Sequence, residues 1–267
     1  MPLLQLIILA IVQGITEFIP VSSSAHLILV PEAVPSWADQ GPLIDVAVHV
    51  GSLGAVMLYF RRETGQLFLG GIDTLRMRDS RNRRLFLMIA AATIPIMVVA
   101  PIIVFTGLID HLRSMIVIGV ASIVFGIVLW YADKKPVTET AGEDFSWKAV
   151  VSIGCAQAVA LIPGSSRSGM TITAARFLGY SRTEAARFSM LLSIPTILAF
   201  GLLAGAQLVV DGAQASLRDA AIAISLSFLA AFATIHLFMK MTRHMSFTPF
   251  VAYRILLGLA LIGIATL

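Results

Sequence analysis

Two short stretches hold most of the residues in this sequence that could do chemistry. The first, Phe18-Ile19-Pro20-Val21-Ser22-Ser23-Ser24-Ala25-His26, follows Gln13 and Glu17. The second, Pro163-Gly164-Ser165-Ser166-Arg167-Ser168-Gly169-Met170-Thr171, lies between the apolar runs 149–162 and 188–210. A serine attacks only when a base takes its proton, and His26 and Glu17 are bases within reach of Ser22, Ser23 and Ser24. Spacing does not decide which serine that would be. Arg167 offers a planar fork that can hold two oxygens of an anion at once. Ser165, Ser166, Ser168 and Thr171 add hydroxyls, and the N–H groups from Gly164 onward can form a cradle after the Pro-Gly break. Each residue also has a plainer reading. The hydroxyls could cap helices, Arg167 could pair with a carboxylate, and His26 could be a satisfied core residue. The break and its flanking hydroxyls favour an anion at Arg167.

The elements that must position these residues are apolar. The chain of 267 residues is 58% hydrophobic and only 13% charged, where a soluble domain carries about 25% charge. Its mean hydropathy is +0.90. This is the composition of an integral membrane protein, and the fold expected is all-α and polytopic. Spanning helices are expected over 43–60, 85–105, 115–131, 188–210, 220–239 and 248–267. Residues 3–19 with 26–34, and residues 149–182, are too broken to span and read as two re-entrant helix–loop–helix pairs. Unpaired backbone and ionisable groups are costly at membrane depth, so both breaks are functional candidates. Net charge is +4, but it sits in loops, so no nucleic-acid partner is expected. The single Cys155 gives neither an internal disulfide nor a metal cluster. Residues 1–9 lack a basic leader, so the first segment belongs to the mature fold.

Loop charge sets the orientation. The 61–84, 132–147 and 240–247 loops hold eleven Lys/Arg, against Arg113 and Arg218 alone in the alternate loops 31–42, 106–114 and 207–219. The first set is cytoplasmic by the positive-inside rule. The first re-entrant pair then dips from outside and the second from the cytoplasm. Aligning Pro20 with Pro163, an offset of 143, superimposes Ile-Pro-x-Ser-Ser in both. A single membrane domain, 1–267, follows, with an inverted-topology repeat of halves 1–131 and 148–267 joined by a cytoplasmic linker, 132–147. Asp45 and His49 read as a self-satisfying interfacial pair. Arg254 and His236 read as structural or headgroup contacts, and the arginine-rich 61–84 loop as a surface for anionic lipid.

The stretch from Gln13 to His26 resembles the (E/Q)xxxE-FxPVSSxxH region of the undecaprenyl-pyrophosphate phosphatases of the BacA/UppP type. Pro163 to Thr171 resembles their PGxSRSxxT motif, and the likeness runs the length of the chain. It implies a membrane hydrolase that removes the terminal phosphate of the C55 lipid pyrophosphate, recycling the carrier for cell-wall synthesis and giving bacitracin resistance. It selects Ser23 as nucleophile, with His26 as its proton partner. Glu17 would orient His26, act as base, or help hold a divalent cation (Mg2+ or Ca2+). Arg167 would clamp the phosphates, and Ser22, Gly164, Ser165, Ser166, Ser168 and Thr171 would bind substrate. Gln13 stands where many members have Glu, leaving one carboxylate and one amide for the cation, and Ala25 where Gly is common. The partners implied are the polyprenyl pyrophosphate, membrane lipids and a second copy of the chain as a homodimer. The place implied is the bacterial plasma (inner) membrane, with the site facing the periplasmic side. A secondary transporter or flippase is the rival, because broken helices in inverted repeats suit it equally.

Overall fold

Serine hydroxyls set the start of six helices in the computed structural model, which describes residues 2–266 apart from 33, 35, 36, 38, 39, 109–111, 140–144 and 211–215. Ser80, Ser114, Ser146, Ser166, Ser181 and Ser216 each accept the backbone N–H three residues on, at 3.0–3.2 Å. Each such cap is worth about 1 kcal/mol. The described residues contain eleven helices and no strand. In chain order they are α1 (Leu3–Thr16), α2 (Ser23–Glu32), α3 (Gly41–Tyr59), α4 (Arg61–Leu75), α5 (Arg81–Phe105), α6 (Met115–Asp133), α7 (Trp147–Val159), α8 (Arg167–Phe177), α9 (Arg182–Val210), α10 (Leu217–Met241) and α11 (Thr248–Thr266).

Six of these, α3, α5, α6, α9, α10 and α11, are long and apolar enough to cross a membrane. They coincide with the six expected spans. Large apolar side chains on them, such as Phe105, Leu202 and Leu256, are exposed, as a lipid-facing surface requires and a water-facing one does not tolerate in bulk. Parts of the 31–42, 106–114 and 207–219 loops, and residues 140–144 of the linker, lie outside the described residues.

The expectation of a plain loop over 61–84 is corrected by α4. Seven arginines in that stretch masked an amphipathic pattern. Gly70 lets α4 approach the backbone of Asn82 on α5, where a Cβ would collide with the Asn82 carbonyl. Phe68, Leu69, Leu75 and Met77 remain exposed.

Small residues bring the other helices together. Gly14 packs α1 on the Ser227–Ala231 turn of α10, and Gly154 packs α7 on Ala92 of α5. α3 packs on α10 and α9, α6 on α11, and α8 among α6, α7 and α9. One apolar core runs from Phe18 and Val56 through Met88 and Ile153 to Phe188, Leu192 and Phe238. At one end of the bundle the buried Asp133 ties three elements. Its Oδ1 accepts from Arg182 Nε at 2.6 Å and its Oδ2 from the Phe247 N–H at 2.9 Å. Arg176, also buried, donates to the carbonyls of Asp133 (3.0 Å) and Lys135 (2.6 Å).

Candidate active site

Both polar stretches break a helix pair in the same way. α1 ends at Thr16, and the chain turns through Glu17–Val21 before α2 begins. α7 ends at Val159, and the chain turns until Ser166 caps α8. Ser22 and Ser166 adopt φ of 76° and 72°, a region that costs a non-glycine residue about 1–3 kcal/mol. Each places its hydroxyl near that of the serine two residues on: Ser22 and Ser24 at 3.3 Å, Ser166 and Ser168 at 3.2 Å. These two serines are 144 apart in sequence, one more than the proline offset of 143, because the second break holds an extra residue.

The two breaks touch. Ser168 Oγ donates to the Ile19 carbonyl at 2.9 Å, and Arg167 Nη2 donates to Glu17 Oε1 at 3.0 Å. Glu17 is buried and is the centre of the arrangement. Its Oε2 accepts from Gln13 Nε2 and from Ser23 Oγ, each at 2.8 Å. His49 Nε2 lies 3.8 Å from the same oxygen. A cavity of about 410 Å³ opens beside this cluster, with Glu17, Ser23, His49 and Arg167 at its polar end. Ile96, Leu161, Ile197 and Phe200 form its apolar wall. Such a shape suits a ligand with an anionic head and a hydrocarbon tail.

The sequence-selected residues divide at this cavity. Glu17, Ser22, Ser23, Ser166 and Arg167 line it. Gln13 stands behind Glu17, fully buried. Gly164, Ser165, Ser168 and Thr171 are not in its wall. Ser165 Oγ is bonded to the Ile162 carbonyl at 2.6 Å, and Thr171 Oγ1 to Ser189 Oγ at 2.7 Å. Gly164, at φ 90°, lies against the Ile118 backbone, where no Cβ would fit. Gly164 and Ser165 shape the turn before Arg167, and Ser168 and Thr171 belong to the first turns of α8, which begins at Arg167.

His26 is also off the wall, and it does not meet Ser23. A carbonyl can only accept, so His26 Nδ1 donates to the Ser22 carbonyl at 2.7 Å. In the neutral ring Nε2 then accepts from the Tyr253 hydroxyl at 2.5 Å. Ser23 has Glu17 as its hydrogen-bond partner. The local pairing of Asp45 with His49 is only partly as expected. His49 Nδ1 bonds the Asp45 main-chain carbonyl at 2.7 Å, while the Asp45 carboxylate accepts from Gln40 at 2.8 Å. His49 thereby turns its other nitrogen toward Glu17, a contact between α3 and the first break that no local spacing reveals. Arg254 proves structural: it is fully buried beneath the second break rather than at a lipid headgroup.

A resident divalent cation does not fit these donors. Hard cations such as Mg2+ and Ca2+ take about six oxygen ligands. Glu17 already receives three donors, and Gln13 presents its N–H, not its oxygen, to that carboxylate. No cluster of three His, Cys, Asp or Glu suited to a metal ion occurs among the described residues.

The motifs at both breaks lie within one family match. The family model described as "Bacitracin resistance protein BacA" matches residues 6–260. The chain belongs to the BacA family. The BacA relatives most like it include a protein of Jannaschia sp. (strain CCS1), 50% identical over 266 residues, which cover 99% of each chain. One of Ruegeria pomeroyi is 49% identical over 266 residues and one of Dinoroseobacter shibae 50% over 267, again with 99% of each chain covered. All three bear the name undecaprenyl-diphosphatase. With six apolar helices of spanning length, this BacA chain is a multi-pass membrane protein.

Proposed function

We propose that the protein hydrolyses undecaprenyl pyrophosphate to undecaprenyl phosphate and inorganic phosphate, recycling the lipid carrier for cell-wall synthesis. The observation that carries this reading is Glu17, bonded at once to Ser23 Oγ and to Arg167 at the head of a cavity with an apolar wall. The family and the names of its relatives support it. Consuming the lipid pyrophosphate also accords with a family named for bacitracin resistance.

In this mechanism Arg167 holds the terminal phosphoryl oxygens and stabilises the charge that develops on them. The Ser23 Oγ proton passes to Glu17 Oε2 as Oγ attacks the terminal phosphorus. The bond from that phosphorus to the bridging oxygen breaks, and undecaprenyl phosphate departs with the electron pair. Water then attacks the phosphoserine, the P–Oγ bond breaks, and Oγ recovers the proton held on Glu17. Inorganic phosphate leaves carrying the elements of water. Glu17 thus takes the base role, and His26 supports the first break through Ser22. Mg2+ or Ca2+ belongs to this reading only as a counter-ion carried by the pyrophosphate.

The same reading keeps the two halves, 1–131 and 148–267, as an inverted repeat with two re-entrant pairs. Its support is the pairing of neighbours: α1 on α10 answers α7 on α5, α3 on α10 answers α9 on α5, and α6 on α11 pairs third span with third span. Among the described helices, only α4 has no counterpart. The loop-charge bias supports a site open to the periplasmic side of the plasma membrane. A homodimer rests on the family resemblance alone. Because this architecture also suits a transporter, the deciding test is chemical. Purified protein should release phosphate from C55 pyrophosphate, and Ser23→Ala should abolish release while still binding the lipid. A wild-type protein that binds the lipid and releases no phosphate would refute the reading in favour of transport.

A further inference from the structure

Adjacent residues of the last helix, Tyr253 and Arg254, each reach one of the two breaks. Arg254 is fully buried, and its three hydrogen bonds all go to carbonyls. Nη2 donates to Gly164 O at 3.0 Å and to Ser165 O at 2.8 Å, and Nε donates to Ser122 O at 3.2 Å. Its Nη1 is buried with no hydrogen-bond partner. A charge without a carboxylate in dry surroundings is costly, so a merely space-filling role is a poor account of it. Its geometry supplies a better one. A trans peptide unit is planar, and its C=O and N–H point in opposite directions. Fixing the Ser165 carbonyl on Arg254 turns the Ser166 N–H away from α11, and Ser166 and Arg167 line the cavity. Gly169, one turn into α8, makes room for this. A Cβ there would stand 2.8 Å from Arg254 Nη1 and 3.0 Å from Ser166 Cβ.

Tyr253 acts on the other break. Its hydroxyl donates to His26 Nε2 at 2.5 Å, with the two rings stacked at 5.7 Å and 9°. The opposite nitrogen of that ring donates to the carbonyl of Ser22, the positive-φ residue immediately before Ser23. The first break therefore has one carbonyl of its turn, and the second has two, fixed by contacts that start on α11. We propose that Tyr253 and Arg254 are positioning residues for the reaction: α11 sets the two breaks in register so that Ser23 and Arg167 address one phosphoryl group. This rests on the reading above, in which Ser23 and Arg167 act on a pyrophosphate.

The test uses purified full-length Tyr253→Phe, Arg254→Lys and Arg254→Met, checked for wild-type melting temperature and gel-filtration profile. The readouts are kcat and KM on C55 pyrophosphate, and calorimetric titration with inorganic pyrophosphate. Arg254→Lys reaches fewer carbonyls and should raise KM and weaken pyrophosphate binding by about tenfold, as expected for a lost hydrogen bond to a charged group. Tyr253→Phe keeps the stacked ring and should lower kcat by about three- to tenfold with pyrophosphate binding unchanged. If Arg254→Met does not fold, the lysine variant carries the test. A folded Arg254→Lys with wild-type KM and pyrophosphate affinity, or a Tyr253→Phe with wild-type kcat, overturns the proposal. A wild-type protein without turnover refutes the phosphatase reading instead, and the pyrophosphate titration then decides the role of Arg254.

Discussion

Replacing Glu17 by glutamine separates binding from chemistry at this site. The carboxylate of Glu17 accepts from Arg167 at 3.0 Å, Gln13 at 2.8 Å and Ser23 at 2.8 Å. Glutamine keeps the volume and can still accept from Ser23 through its amide oxygen, but it cannot take the proton. Removing a general base costs about 10²–10⁴ in rate, so kcat should fall by that factor. The ion pair to Arg167 is lost as well. A hydrogen bond to a charged group is worth about 1.5–3 kcal/mol, and in the native site a ligand must displace that interaction to reach the guanidinium. Freed of it, Arg167 should hold pyrophosphate at least as tightly as in the native protein. Rate thus falls while affinity holds or rises, which simple damage to the fold cannot produce. Phosphate release from C55 pyrophosphate in detergent gives kcat, and titration with inorganic pyrophosphate gives affinity. A folded Glu17→Gln variant whose kcat stays within about threefold of wild type would remove Glu17 from the proton path.

Arg167→Lys keeps the charge and loses the fork, so activity should drop by about 10²–10³ in the same assay, the usual loss for one transition-state contact; near wild-type turnover would sink the clamp assignment. The orientation of the bundle can be read by thiol labelling once the exposed native Cys155 is replaced. A cysteine at Gly107 should react with an impermeant reagent from outside and one at Asp79 should not. Asp79 lies just before Ser80, the cap of α5, and outside labelling of Asp79→Cys would reverse the loop-charge argument.

Much of this architecture is legible in the sequence, because a membrane leaves few alternatives. Uncharged runs such as 85–105 and 115–131 can only be buried or lipid-facing helices, and their ends fall within a few residues of the observed ones. Glu17, Ser23 and Arg167 stand out for the converse reason, being polar where polarity is costly. What stays hidden depends on pairing across long separations. Tyr253 meets His26 across 227 residues and Arg254 meets Gly164 across 90, and no periodicity encodes either contact. The Asp45–His49 spacing suggests a local pair, while His49 Nε2 in fact turns toward Glu17 in the first break. α4 is missed because the arginines in and beyond it make 61–84 read as a loop, and its close approach to α5 depends on the single Gly70.

The ion pair between Glu17 and Arg167 also decides what the site ignores. Without a ligand, the guanidinium already faces the Glu17 carboxylate at 3.0 Å, so its own charge is largely offset. The phosphodiester headgroups of the surrounding bilayer vastly outnumber any pyrophosphate lipid. Each offers one negative charge, which would only exchange with the one Glu17 supplies and would have to shed its own water to do so. A terminal pyrophosphate group carries more than one charge on a single phosphorus and can engage the guanidinium while the carboxylate is still near. On the proposed phosphatase reading the pair would act as a sieve on charge density, set against the bulk lipid that shares the same membrane.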